Sequence, residues 1–275
     1  MPEGDTIYRA ARTLHRALSG RAVTAFETVL PQLSRVDTDT PIAGRTVEKA
    51  EARGKWLLIH FSGSLILLTH MRMNGSWHIY RPGETWKRRR DEMRIVISTN
   101  DILAVAFAVP VAEFHTAESL LRRDGFNELG PSLLEAAFDE SNAIARLQEH
   151  ASLEIGIALL AQSIFAGVGN VYKSEVCFAC GVNPFRLVGS LTREERACVV
   201  SAARKLLLAN VTDASSREFT SYAGMRRTTG RSNPSQRLWV YQRRGEPCLR
   251  CGTPIESGKQ GSDARATFWC PRCQR

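Results

Sequence analysis

Cys248-Leu249-Arg250-Cys251 and Cys270-Pro271-Arg272-Cys273 decide the fold of the C-terminal part of this chain, since two Cys-x2-Cys pairs are separated there by eighteen residues. Four cysteines at this spacing are typical of a zinc ribbon, in which a tetrahedral Zn²⁺ has a structural role. We therefore predict one structural Zn²⁺, bound by Cys248, Cys251, Cys270 and Cys273, and a β-hairpin ordered between the two pairs.

The N-terminus, Met1-Pro2-Glu3, is the second informative stretch. Removal of the initiator Met leaves Pro2 with a free secondary amine. Such an amine condenses with an aldehyde to give an iminium that stays cationic without a proton and accepts electrons. Pro2 is therefore a candidate nucleophile. Taken alone, its position does not distinguish a nucleophile from an ordinary start of a chain.

The charge of the chain is concentrated near its C-terminus. The 275 residues carry a net charge of +9, and residues 217–275 alone contain twelve Lys or Arg against four Asp or Glu. A basic module of this kind suits a polyanion such as nucleic acid, although an Arg-rich soluble surface is the alternative. The length favours two domains over one.

The cysteine count indicates the redox environment. Seven cysteines without a signal peptide favour a reducing cytoplasm and thiolate–metal bonds instead of disulfides. Cys177-x2-Cys180 lacks a partner pair, and we assign it to a helical core. The longest apolar run, residues 102–112, contains Pro110 and is too short to span a bilayer. We expect a soluble intracellular protein.

The first half of the chain predicts one helix followed by a β region. Apolar residues recur at helical spacing over Thr6–Leu18, and Asp5 is placed to cap this helix. Residues 22–112 contain short apolar runs broken by Gly, Asn and Asp, without intervening helices, and they predict a sandwich or barrel. The basic run Lys87–Arg90 is predicted to be a solvated loop.

The second half is predicted to be helical after residues 126–131. Its clearest signal is Thr192-x-x-Glu195, a capping box that precedes a long amphipathic run. Residues 211–237 are rich in Ser, Thr, Arg and Gly without periodicity, and they predict a loop that leads into the ribbon.

Five motifs, in this order, resemble those of the formamidopyrimidine-DNA glycosylase/endonuclease VIII family. They are Pro2–Thr6, Arg53–Lys55, His70–Gly75, Gly167–Tyr172 and the ribbon. Asp5-Thr6 and Pro31-Gln32-Leu33 are more similar to the endonuclease VIII branch. The resemblance implies an α+β fold in three parts: an N-terminal catalytic β-sandwich with flanking helices (residues 1–125), a helical helix-two-turn-helix domain with a loop (126–237), and the zinc ribbon (238–275).

The resemblance also implies a function. A family member is a bifunctional DNA glycosylase and AP lyase of base excision repair. It removes oxidised bases through an N-terminal proline Schiff base and cleaves the strand by β,δ-elimination. We expect a cytoplasmic monomer that associates with the bacterial nucleoid through damaged DNA. The rival interpretation is a non-catalytic zinc-ribbon DNA-binding protein, which needs neither Pro2-Glu3 nor Lys55.

Four catalytic and DNA-binding roles follow from the resemblance. Glu3 corresponds to the general acid and base, with helix capping as the alternative. Lys55 corresponds to an active-site cation, with a snorkelling strand-edge lysine as the alternative. Asn170 and Arg265 correspond to residues that bind phosphates beside the lesion, and Arg265 also assists the δ-elimination.

Arg72-Met73-Asn74 corresponds to the family's loop that fills the hole left by an everted nucleotide. The alternative places Met73 in the core at strand spacing. Endonuclease VIII has Gln-Leu-Tyr at these three positions, and it has Arg where this chain has Glu128. The substrate-selecting loop of the family is expected at residues 219–236.

Overall fold

The computed structural model describes residues 2–212 and 226–275, which form two compact units. Among the described residues, those up to Glu128 belong to the first unit, and those from Leu129 onward belong to the second. Each unit has its own hydrophobic core. The helical part and the ribbon thus belong to one unit. The predicted boundaries of the three parts, after residues 125 and 237, remain a prediction.

Helix α1 spans Gly4–Leu18 and lies against the first core. Its N-cap is Glu3, so the prediction that Asp5 caps the helix is wrong. The helical hydrogen bonds already begin where Ile7 N–H donates to the Glu3 carbonyl at 3.0 Å. Asp5 therefore lies within the first turn, where it is buried and accepts a 3.4 Å hydrogen bond from the Thr6 hydroxyl.

Eight antiparallel strands of the first unit form two four-stranded sheets within the described residues. One sheet has the order β1 (Ala25–Thr28), β6 (Met93–Ser98), β7 (Leu103–Phe107), β5 (Ser76–Tyr80); the other has the order β2 (Val47–Arg53), β3 (Trp56–Phe61), β4 (Leu65–His70), β8 (Val111–His115). Side chains alternate across each strand, so Ile95 and Ile97 enter the main core and Val96 the opposite face. The predicted β-sandwich is confirmed.

One helix interrupts the strands and a second follows the last of them, whereas the sequence predicted no helix between the strands. Helix α2 spans Pro31–Asp39 and helix α3 spans Ala117–Leu121. Pro31 occupies the first turn of α2, where a missing N–H costs nothing because that group has no partner within the helix. Only Leu33 of this helix is buried, so its apolar period is too weak to detect.

The second unit contains helices α4 (Glu140–Glu149), α5 (Ile155–Leu160), α6 (Asn170–Ala179) and α7 (Arg193–Thr212). The predicted capping box is confirmed: Glu195 N–H donates to Thr192 Oγ1 at 3.2 Å, and Thr192 N–H donates to the Glu195 carboxylate at 2.8 Å. Residues 213–225, which include part of the predicted loop and of the expected substrate-selecting segment, lie outside the described residues.

The ribbon contains the hairpin of β9 (Glu256–Gln260) and β10 (Arg265–Trp269). Arg265 pairs with Gln260 at the turn end, and Trp269 pairs with Glu256 at the other end. The connecting turn has positive φ at Gly261 (72°) and Ala264 (49°).

The prediction that the cysteines form no disulfide is wrong. Cys180 at the end of α6 and Cys198 in α7 form a disulfide, because the two packed helices bring their Cα atoms to 5.8 Å, within bonding range. Cys177 is buried in the second core as predicted, and burial raises the pKa of its thiol to about 12. Among the described helices, none is both long and apolar enough to cross a bilayer.

Candidate active site and nucleic-acid interface

The N-terminal end of α1 presents Pro2 and Glu3. Pro2 is half-buried and Glu3 is fully buried. The Glu3 backbone caps the helix, but its side chain accepts no capping hydrogen bond. Glu3 is thus the N-cap residue of α1, as the alternative predicted, but it caps the helix through its backbone alone, and its carboxylate is withdrawn from water beside the N-terminal residue.

Lys55 lies in a two-residue turn between β2 and β3. Arg53 and Trp56 are the last paired residues, so Gly54 and Lys55 form the loop. Gly54 has a φ of +60° at the first loop position, which a type II′ hairpin turn reserves for glycine. This geometry leaves Lys55 half-buried at the tip of the hairpin, and we call Gly54–Lys55 the lysine turn.

The lysine turn lies at the same end of α1 as Glu3, because α1 and β2 run antiparallel. Gly20 N–H donates to the Val47 carbonyl at 2.8 Å, and further along Ala50 N–H donates to His15 Nδ1 at 3.3 Å. From His15 back to Glu3 the helix covers about 18 Å. From Ala50 to the turn the strand covers about 17 Å. The two lengths match, so the turn reaches the level of Glu3.

His70 ends β4 beside this turn and is the register partner of Trp56 in β3. Burial, reinforced by the positive charges of Arg72, Lys55 and Arg123, lowers the pKa of His70 to about 4. Its Nδ1 accepts a 3.1 Å hydrogen bond from Arg72 N–H, so the neutral ring carries its proton on Nε2. Three cations around a neutral donor suit an anionic ligand.

Arg123 is a second residue that the sequence analysis missed. Its guanidinium lies 4.2 Å from the centroid of the Trp56 ring, and it donates two hydrogen bonds to Glu113, at 2.7 and 2.9 Å. This pairing lowers the pKa of Glu113. Arg53 lies similarly over Phe126, at 4.7 Å. These contacts fix the residues that flank the lysine turn.

The Arg72–Asn74 loop projects from the first unit. Met73 is 60% exposed, so the alternative that places it in the core is wrong. The loop is closed by a 2.8 Å hydrogen bond from Gly75 N–H to the Met71 carbonyl. A cavity of about 260 Å³ adjoins the loop; its lining consists of Arg72, Met73, Asn74, Arg94, Ala108, Val109 and Pro110.

Arg88, in the basic run 87–90, fixes the Arg72–Asn74 loop. The basic run was predicted to be a solvated loop. Its Nη1 donates to the Asn74 carbonyl at 2.9 Å and to Ser76 Oγ at 3.1 Å. Its Nε and Nη2 both donate to the Glu92 carboxylate at 2.9 Å. The prediction is wrong for Arg88, since four hydrogen bonds fix this side chain.

In the second unit, Gln162 shapes the glycine-containing turn before α6. Gly167 N–H donates to Gln162 Oε1 at 3.0 Å, and Gln162 Nε2 donates to the Val168 carbonyl at 2.9 Å. The φ of Gly167 is +105°, which favours glycine. The turn places Asn170 at the first position of the helix.

The predicted DNA-binding residue Asn170 lies against the ribbon hairpin. Its Nδ2 donates to the Ala266 carbonyl at 2.7 Å, and its side chain is almost fully buried. One amide hydrogen therefore already has a protein acceptor. Arg265, the neighbour of Ala266 in β10, has a half-exposed side chain, and within the residues that the structure describes its guanidinium pairs with Asp263 at 3.4 Å. Arg265 is thus accessible to a phosphate.

The four ribbon cysteines fit a metal ion. Their Sγ atoms all lie within 4.8 Å of one another, with 4.0 Å between Cys248 and Cys273 and 3.5 Å between Cys251 and Cys270. A tetrahedral zinc with Zn–S bonds of about 2.3 Å requires sulfur–sulfur distances of about 3.8 Å. The donor set therefore matches the predicted zinc site.

Glu175 joins α6 to the chain that enters the ribbon. Its buried carboxylate accepts hydrogen bonds from the backbone N–H groups of Trp239, Val240 and Tyr241, at 2.8–2.9 Å, and from the Thr228 hydroxyl. Burial raises the pKa of Glu175, and these four donors oppose the rise because they stabilise the anion. Its role is therefore to anchor this segment.

Three family models match this chain. They are the formamidopyrimidine-DNA glycosylase N-terminal domain (residues 1–108), the formamidopyrimidine-DNA glycosylase H2TH domain (residues 129–221) and the zinc finger found in FPG and IleRS (residues 245–275). The chain belongs to the formamidopyrimidine-DNA glycosylase family, which includes endonuclease VIII.

Particular relatives agree with this assignment. Probable endonuclease 8 2 of Streptomyces coelicolor is 41% identical, with 100% of this chain and 94% of the relative covered. DNA-(apurinic or apyrimidinic site) lyase Nei2 of Mycolicibacterium smegmatis is 36% identical, with 100% and 99% covered. A Lactococcus lactis Fpg structure in complex with abasic-site DNA has a TM-score of 0.82 at 22% identity, with 99% of each chain covered.

These comparisons confirm several predictions: the family, the α+β fold, the DNA glycosylase and AP lyase class, and the single structural zinc. The roles of individual residues are a separate question, which the geometry of this chain has to answer.

Proposed function

We propose that this protein excises oxidised bases from DNA and then cleaves the strand at the resulting abasic site, with Pro2 as the nucleophile. The observation that carries the proposal is the match in length between α1 and β2, which brings the lysine turn to the level of Pro2 and buried Glu3. A DNA-binding protein without catalysis needs no such arrangement of amine, carboxylate and ammonium.

The proposed chemistry begins at the Pro2 nitrogen. Its lone pair attacks C1′ of the damaged nucleotide, the N-glycosidic bond breaks, and the base departs with its electron pair and takes up a proton. The sugar ring opens, and the C1′–nitrogen iminium then withdraws electrons, so that a proton leaves C2′ and the 3′ phosphate departs. Loss of a proton from C4′ with departure of the 5′ phosphate completes the β,δ-elimination, and water then hydrolyses the iminium, which releases the sugar fragment and regenerates the Pro2 amine.

Glu3 is suited to the proton transfers. Its carboxylate is removed from water at a helix N-terminus, next in sequence to the nucleophile. In this role it protonates the opening sugar and later accepts a proton during elimination. Lys55, with neutral His70 beside it, supplies positive charge and a hydrogen-bond donor for the phosphate next to the lesion.

The remaining predicted residues bind the DNA backbone or replace the everted base. Arg265 has the accessible guanidinium of a phosphate ligand, and Asn170 lies next to it on α6. Exposed Met73, in the loop that Arg88 fixes, has the position and flexibility to fill the gap left by an extruded nucleotide. We propose damaged DNA as the partner of a monomer that associates with the nucleoid through that DNA.

The experiment compares Glu3→Gln and Lys55→Met with the matched control Lys49→Met. Lys49 is an exposed lysine on the neighbouring strand, and it pairs with Glu51. On duplex DNA that contains one oxidised base, we expect both site variants to lose at least a hundredfold in single-turnover base release, while the control keeps the wild-type rate. Wild-type rates for both site variants would contradict the proposal.

A further inference from the structure

Polar side chains on one face of α6 form hydrogen bonds with β10 of the ribbon. Asn170 Nδ2 donates to the Ala266 carbonyl, and the Lys173 ammonium donates to Thr267 Oγ1 at 2.6 Å and to the Ala266 carbonyl at 3.4 Å. Positions i and i+3 share a helix face, so both side chains reach the strand immediately after Arg265.

The hydrogen bonds continue from Thr267 across the hairpin. The Thr267 hydroxyl donates to Gln260 Oε1 at 3.0 Å, and Gln260 Nε2 donates to the Glu154 carboxylate and to the Pro184 carbonyl, each at 2.8 Å. This series of hydrogen bonds therefore has a charged group at each end, the Lys173 ammonium and the Glu154 carboxylate. We call Lys173, Thr267, Gln260 and Glu154 the buried brace.

Three of the four brace residues are deeply buried, and Glu154 is half-buried. Lys173 and Thr267 have no exposed surface, and Gln260 is 5% exposed. A Cβ at Gly156 would lie 2.3 Å from Gln260 Oε1, so only glycine leaves room for this amide. Packing alone would favour an apolar residue in place of a buried lysine, because an ammonium loses its hydration on burial. The brace thus has a function beyond filling space.

The position of the brace indicates that function. Gln260 is the register partner of Arg265, so the brace holds both strands at the turn end of the hairpin. Zinc is at the other end, since Cys270 follows β10 and lies about 17 Å along the strand from Arg265. A two-stranded hairpin is marginally stable by itself. The zinc site alone therefore leaves the Arg265 end unsupported.

We propose that the Lys173–Thr267 pair positions Arg265 for the δ-elimination. Lys173 and Thr267 are positioning residues, which act through the backbone of β10 and touch no DNA themselves. The inference rests on the proposed role of Arg265. Loss of the pair should leave the Pro2 reaction intact and weaken the later step, in which the terminal phosphate must be held.

The test uses Thr267→Val, which keeps the shape of the side chain but removes the hydroxyl, together with Lys173→Met and the conservative Thr267→Ser. The stability control is Arg243→Met, because Arg243 is another buried ribbon residue with three polar partners: Glu246 and the Trp239 and Pro247 carbonyls. All proteins are zinc-loaded and assayed on abasic-site DNA at saturating enzyme.

The readouts are the ratio of δ- to β-product and the yield of borohydride-trapped adduct. We expect Thr267→Val and Lys173→Met to lower the ratio at least fivefold with an unchanged adduct yield. Thr267→Ser and Arg243→Met should keep the wild-type ratio.

Arg265→Ala, measured alongside, separates the two possible failures. If it lowers the ratio while Thr267→Val and Lys173→Met stay within twofold of wild type, the positioning role is overturned and the proposed function stands. If Arg265→Ala itself leaves the ratio unchanged, the role proposed for Arg265 is overturned and the inference with it.

Discussion

Replacement of Glu175 by glutamine disrupts the hydrogen bonds by which α6 anchors the chain that enters the ribbon. One carboxylate oxygen accepts from Val240 and Tyr241, and the other accepts from Trp239 and the Thr228 hydroxyl. Glutamine keeps a single acceptor oxygen and turns an NH₂ group toward two of the four donors. With the NH₂ group toward Trp239 and Thr228, the Trp239 N–H loses its acceptor, whereas the Thr228 hydroxyl keeps the Arg237 carbonyl as an acceptor at 3.3 Å.

A buried donor without an acceptor costs about 1–3 kcal/mol. The loss at Trp239 therefore gives an expected destabilisation of about 2 kcal/mol. With a urea dependence of about 1–3 kcal/mol per molar, the midpoint of unfolding should fall by roughly 0.7–2 M. The loss should be largest for the second unit, which contains all of these residues.

Urea unfolding, followed by tryptophan fluorescence, measures this shift. Trp239 donates through its backbone to Glu175 and stacks with Phe178, so its signal reports on the same region. The control is Glu149→Gln on exposed α4, for which we expect less than about 0.5 kcal/mol. A Glu175→Gln midpoint within about 0.3 M of the wild-type midpoint would refute the anchoring role, because a shift of that size is close to the experimental error.

Three further predictions concern the metal, the phosphate contact and pH. Cys270→Ser should lose the zinc and DNA binding together, measured by elemental analysis and binding titration, whereas zinc retention or two ions per wild-type chain would contradict the site; Cys177→Ser should keep both. Arg265→Ala should reduce the salt slope of DNA binding by about 1 and lower the ratio of δ- to β-product. The exposed control Lys259→Ala, one register position away, should leave that ratio unchanged, and an unchanged ratio and salt slope for Arg265→Ala would contradict the phosphate contact. His70→Gln should remove part of the acid lability. The folded-state pKa of about 4 lies below the ordinary 6.5, so the unfolded chain binds the proton first and stability falls as pH drops from about 6.5 toward 4. After allowance for its partial exposure, His70 accounts for about 2–3 kcal/mol of that loss, and identical pH profiles of wild type and variant would exclude it.

The sequence predicts features that depend on local patterns. The ribbon follows from the spacing of four cysteines, and the sandwich follows from several short apolar runs that Gly, Asn and Asp interrupt. The capping box at Thr192 was likewise visible, since its two members are three residues apart.

Features that depend on distant contacts were not predictable. Glu175 meets backbone N–H groups more than sixty residues away, and the Cys180–Cys198 disulfide depends on how two helices pack. Arg88 is indistinguishable from its exposed basic neighbours until the Asn74 carbonyl is known to lie beside it. The wrong prediction for Asp5 has a similar origin. Aspartate is a common N-cap residue, but Asp5 lies two residues after the actual N-cap, Glu3, and is buried in the first turn of the helix.

The central claim is that the Pro2 nitrogen forms the covalent intermediate. The most direct measurement is borohydride reduction of the protein on abasic-site DNA, followed by mass mapping of the peptide that carries the adduct. A chain that begins at Pro2 should carry the adduct on its N-terminal peptide, at the Pro2 nitrogen. The same chain with an uncleaved N-terminal extension should form no adduct, and removal of the extension should restore it. An adduct on Lys55 or another lysine, or undiminished trapping by the extended protein, would contradict the account.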